Sequence, residues 1–165
     1  MIGFTQNDNK KYTQAISWLI DSANTFKRHF SMFPSTNSDS SCLFEICTTI
    51  QYLGRPNLMK DRYTSIDSSL LTITKAELKD SRSFYKKFYF ESYNLDLENF
   101  CKNREADCKL ILSKPFRNIL TVWLAPKYAV FDCKRPKFGK VVVITFVYDI
   151  NDEILDYAVS YIIIN

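Results

Sequence analysis

Residues 140–164 read KVVVITFVYDINDEILDYAVSYIII. The runs Lys140 to Asp149 and Ile154 to Ile164 flank the polar turn Asp149-Ile150-Asn151-Asp152-Glu153. β-Branched and aromatic side chains suit a pleated, half-buried surface, and a connection this short joins antiparallel neighbours rather than parallel ones. In the second run Leu155, Tyr157, Val159, Tyr161 and Ile163 share one face, opposite Asp156 and Ser160. That alternation predicts a hairpin with one buried and one wet face.

The same texture extends back to Cys108. Lys109 to Leu112, Asn118 to Leu124 and Tyr128 to Cys133 are further strand candidates, and Pro115, Pro126 and Pro136 fall between candidates, as suits a residue that cannot donate to a ladder. With connections too short for crossover helices, the segment predicts an antiparallel meander.

Upstream the period changes. Tyr12, Ile16, Leu19, Ala23, Phe26 and Phe30 recur in steps of four and three, which predicts an amphipathic helix from about Asn9 to Phe30. Lys27, Arg28 and His29 near its end complement the helix dipole. After the polar linker Pro34 to Ser41, the residues Leu43, Ile46, Cys47, Ile50 and Leu53 carry a helical period, with Gly54 and Arg55-Pro56 as a stop. Asn57 to Ser69 has no sustained period, and Thr74-Lys75-Ala76-Glu77 is a capping box that opens a helix to about Phe90. For Phe88 to Leu95 a strand competes with that helix.

Helices first and a sheet last make the chain α+β: N-terminal helices packed on a curved antiparallel sheet of about four or five strands. One domain is expected over residues 1–165, helical over about 9–93 and β over about 108–164. This element order resembles the NTF2-like and cystatin-like arrangements, with no motif behind the resemblance. Such folds host enzymes, transport factors and toxin inhibitors, so the resemblance implies an architecture and no activity.

Composition narrows the class. Glycine (3) and proline (5) are too scarce among 165 residues for a collagen-like or linker-like chain, and 46% hydrophobic residues supply a core. Aromatics reach 15%, the one unusual figure, while a net charge of +4 is too small to point to nucleic acid without an accompanying motif. The opening residues lack the pattern of a secretory signal and no apolar run approaches the ~20 residues that span a bilayer, so the chain reads as cytoplasmic. The alternative is periplasmic or secreted, should a signal peptide have been removed. Five cysteines, an odd number, favour reduced thiols. Against this, the polar loop between Cys101 and Cys108 suggests a disulfide-closed ring.

Catalytic machinery is not evident. His29 is the only histidine and cannot form a multi-histidine metal site, Cys133 is expected to be a buried strand thiol, and Gly3, Gly54 and Gly139 are isolated from one another, which excludes a phosphate-cradling loop. No catalytic residue, metal or cofactor is expected. The better signal is basic: Lys134, Arg135, Lys137 and Lys140 surround Phe138 in one hairpin loop, and Asp152 and Glu153 lie in a second, acidic loop. The expected function is a non-enzymatic protein-binding domain of inhibitor, immunity or adaptor type, which covers a partner's surface through those seven residues. The alternative is a small apolar ligand site or weakly enzymatic pocket lined by Trp123, Tyr128, Phe146, Tyr148, Tyr157 and Tyr161. The partner is expected to be another protein, with no membrane span. The aromatic cluster Phe84 to Tyr93 has no assigned role.

Overall fold

A computed structural model describes residues 6–22, 45–47, 66–72, 74, 108–130 and 138–164. Along the chain come α1 (Gln6–Asp21), β1 (Glu45–Ile46), a 3-10 turn (Ser68–Leu70), β2 (Cys108–Leu112), β3 (Ile119–Pro126), a 3-10 turn (Lys127–Ala129), β4 (Gly139–Tyr148) and β5 (Ile154–Ile164). The layout is α+β. The strands lie in the order β1-β2-β3-β4-β5. β2 to β5 form the expected antiparallel meander, whereas β1 joins β2 in parallel, so the sheet is mixed rather than wholly antiparallel.

Strand periodicity sorts the side chains into two layers. Leu110, Leu124 and Val142 are successive partners across β2, β3 and β4, as are Leu112, Val122 and Ile144, and these face α1. From the helix come Tyr12, Ile16 and Leu19, on the stripe that the sequence period marks, and Ala15 beside them, all fully buried. Tyr12 also donates its hydroxyl to Ser113 O at 2.9 Å, which satisfies a polar group that burial would otherwise penalise.

The opposite layer is dry too. Ile111, Trp123 and Val143 face away from α1, and Cys47, Val130 and Val141 pack with them. Farther along, Ile66, Leu70 and Leu71 cover Val147 and Ala158. This corrects the expected wet face: Ser160 is 8% exposed and Ala158 is fully buried. Every residue of β3 is buried, the condition of a strand covered on both faces.

A bulge changes the face assignment in β5. Val147 pairs with Asp156 while the next residue, Tyr148, pairs with Ile154, so Leu155 is the extra residue. Ile154 therefore packs under α1, and Leu155 is half exposed instead of lining the buried face. Simple alternation cannot foresee such an insertion.

Two further expectations change. The helix across Leu43 to Leu53 is replaced at Glu45–Ile46 by strand β1. Ile46 packs into the helix-side layer and Cys47 into the other one, an alternation by two that a short apolar run does not distinguish from a helix. Among the described residues of Tyr128 to Cys133, residues 128 and 129 belong to a 3-10 turn, because Pro126 ends β3 at its last paired position and offers no N–H to continue the ladder. The first helix is described to Asp21, with Ser22 N–H still donating to Trp18 O at 2.9 Å. Its expected continuation to Phe30, the helix from Thr74 and the cluster Phe84 to Tyr93 lie outside the described residues, Thr74 itself excepted. Among the described residues, no helix is long and apolar enough to cross a membrane.

Candidate binding surface

Both ends of β4 carry residues singled out from the sequence. At its start, the 3-10 turn after β3 presents Tyr128, and the residue before β4 is Phe138. Their rings stack with centroids 6.0 Å apart at 27°. Tyr128 is 58% exposed and Phe138 44% exposed, so the pair forms a small aromatic surface rather than part of the core. Gly139 sets this geometry with a φ of +99°, a conformation that a side chain would strain.

Cations flank the pair. Lys127 precedes Tyr128 in the same turn, and Lys140 follows Gly139, both exposed. Lys140 Nζ lies 5.1 Å from the centre of the Tyr161 ring, within reach of a cation–π attraction. Ile163, the cross-strand partner of Lys140, is 72% exposed and extends the apolar area on β5. Lys134, Arg135 and Lys137 lie outside the described residues, as do His29, Cys101 and Cys133.

The other end of β4 is acidic, and it is engaged by the chain's own helix. Asp149 organises the turn, its Oδ1 accepting from the N–H of Asn151 and of Glu153 at 2.8 Å each. Those two backbone donations, with Lys10 adding charge, hold the Asp149 carboxyl below the usual carboxylate range. Asp152 takes a left-handed φ of 63° and meets Lys11 Nζ at 2.6 Å, both residues buried. Lys10 contacts Glu153 Oε1 at 2.8 Å and donates to Asn151 O at 2.7 Å. Gln14 donates to the other oxygen of Glu153. Hydrogen bonds from Lys10 and then Gln14 lower the Glu153 carboxyl, and Glu153 in turn raises the Lys10 ammonium.

Asp152 and Glu153, read from the sequence as partner-binding, therefore clasp α1. The sequence reading missed Lys10, Lys11 and Gln14, although adjacent cations in the N-terminal half of a helix, where its dipole offers them nothing, were an available signal.

The six candidates for an aromatic pocket do not converge. Trp123 lies on the sheet face away from α1, whereas Phe146 and Tyr148 lie beneath α1 with Tyr161 packed against them. Tyr157 is 38% exposed and leans on Trp18, with ring centroids 4.5 Å apart. Tyr128 is on the surface. The buried Tyr148 hydroxyl donates to Lys11 O at 2.8 Å, and desolvation, with a smaller contribution from Asp152, raises its pKa well above the ordinary 10.0. Trp123 thus belongs to one core and Phe146, Tyr148 and Tyr161 to another on the opposite face of the sheet.

The cysteines also differ from expectation. Cys108 is a buried thiol at the start of β2, not half of a disulfide, so the ring with Cys101 is not formed. Its side chain packs in the helix-side core. Cys47, by contrast, is disulfide-bonded.

Compared with protein-family models, curated proteins and solved structures, the chain matches none.

Proposed function

We propose that the chain is a non-enzymatic protein-binding domain that covers part of a partner's surface, with the β4 entrance as its contact face. The observation that carries this reading is the stacked, exposed pair Tyr128 and Phe138. Aromatic rings offer large contact area at little conformational cost, and they anchor interfaces when a partner desolvates them. The two rings already stack on each other, so part of the ordering that binding requires is in place. Lys127 and Lys140 beside it favour a partner whose face combines an apolar recess with carboxylates, and would steer its approach.

Lys134, Arg135 and Lys137 belong to the same proposal through the sequence, which places them in the loop that ends at Phe138. Inhibitor, immunity and adaptor proteins all act by such coverage. The finer fold reading, an NTF2-like or cystatin-like arrangement, is kept here as well. Cys47 favours the oxidising alternative, periplasmic or secreted, over the cytoplasm, because structural disulfides are rare where thiol reductants are abundant.

Charge reversal tests the reading. Titration against proteins encoded beside its own gene should find a partner whose association slows with added salt, and whose affinity falls about tenfold with Lys140→Glu. A partner bound equally well by Lys140→Glu at every salt concentration would remove the cations from the surface. Salt-dependent retention on a polyanion such as heparin, lost in Lys140→Glu, together with no protein partner, would move the reading to nucleic acid.

A further inference from the structure

β5 ends the sheet on the side away from β1, and no described strand lies beyond it. At 11 residues it is longer than most strands, and three of its apolar side chains are exposed: Leu155 at 51%, Tyr157 at 38% and Ile163 at 72%. The Tyr157 N–H donates to Oδ1 of its neighbour Asp156 at 2.8 Å, so this backbone edge faces away from β4. By alternation, the backbone groups of Val159 and Ile163 face the same way. A long apolar edge of this kind is a template for another strand.

Charge decides which strand. Around the start of β5, Asp149, Asp152, Glu153 and Asp156 outnumber Lys10 and Lys11, the cations that reach them. Near its end stands the exposed Lys140, cross-strand partner of Ile163, with Lys127 exposed in the turn beside Gly139. The edge therefore runs from acidic to basic and carries an exposed apolar residue toward each end. A copy of the same strand laid antiparallel meets it with opposite charges and apolar ends in register, whereas a parallel copy would set like charges together.

We propose that β5 pairs with β5 of a second copy of this chain, antiparallel about a two-fold axis at Val159. Val159 then faces itself across the axis, and Leu155 meets Ile163 of the second copy at both ends of the ladder. The Tyr157 N–H exchanges its Asp156 acceptor for the Tyr161 carbonyl of the second copy. Two-fold pairing uses both edges and closes at the dimer. The contact shares Lys140 and Ile163 with the candidate partner surface but not the stacked rings of Tyr128 and Phe138, so the two readings fail separately.

Sedimentation velocity of the full chain, over a concentration series up to about 200 µM, should show monomer and dimer in exchange. Ile163→Glu alone and Leu155→Lys alone should each weaken the dimer about tenfold or more, because each loses a contact at both ends. An equimolar mixture of the two variants should restore it, since one end gains an ion pair and the other keeps Leu155 against Ile163. Both residues are exposed, so neither change threatens the fold. Tyr128→Ala/Phe138→Ala should dimerise as wild type does. A single species with the mass of one chain at the highest concentration would overturn the proposal. So would a dimer that neither variant weakens, one that the mixture does not restore, or one that only a reductant separates.

Discussion

Asn118 ties separate stretches of chain together. Its Oδ1 accepts from Thr72 N–H at 3.1 Å and Thr72 Oγ1 at 2.9 Å, and its Nδ2 donates to Leu70 O at 2.8 Å and Tyr148 O at 3.0 Å. Truncation to Ala removes all four hydrogen bonds, the one to Tyr148 O in a buried setting, so Asn118→Ala should cost about 2–4 kcal/mol in urea unfolding. The residue before it, Arg117, is exposed with a left-handed φ of 57°. Glycine takes that conformation without strain, and Arg117→Gly should raise stability by about 0.5 kcal/mol or more in the same measurement. At Asp152 the consequence is reversed, because the buried Lys11 cation depends on its carboxylate. Asp152→Asn keeps a residue type that tolerates left-handed φ but leaves the cation uncompensated, at about 3 kcal/mol, and adding Lys11→Met should recover most of it. None of these partnerships is local in sequence. Asn118 reads as the start of a strand and Asp152 as part of an acidic loop until the fold brings Leu70 and Lys11 to them.

Among the elements, the clasp between α1 and the β4–β5 turn makes stability depend on pH at both ends. Asp149 and Glu153 titrate below their ordinary values, so their contribution is present above the unfolded carboxylate range and is lost as pH falls through the folded values. Lys10 and Tyr148 titrate above theirs, so their contribution is complete below the unfolded values and is lost as pH rises toward the folded ones. The urea midpoint should be level between about pH 6 and pH 9 and fall on either side. Glu153→Gln should flatten the acid limb; an unaltered limb would mean that the clasp does not hold the helix. Element type was legible in α1 and in β2 to β5, where period and length agree. It failed at Glu45–Ile46, where a run of helical period has its backbone bonds completed by β2 rather than by itself, and at Leu155, where one inserted residue reassigns the face of its neighbours.

At the scale of the whole molecule, the order of helix before sheet was readable because each pattern recurs over several turns or strands. Coverage of both sheet faces was not, since the residues that dry the second face, such as Cys47 and Ile66, come from distant segments with no shared period. The candidate surface was half legible. Phe138 stood out beside its basic loop, while Tyr128 read as a pocket residue because only the 3-10 turn after Pro126 turns it outward to meet Phe138. Calorimetric titration of a cognate partner against wild type and Tyr128→Ala/Phe138→Ala, with both chains shown to unfold at the same urea concentration, tests the contact face directly. The double variant should lose at least thirtyfold in affinity, about 2 kcal/mol, as for anchors of an interface. Equal affinity of the two chains would contradict it.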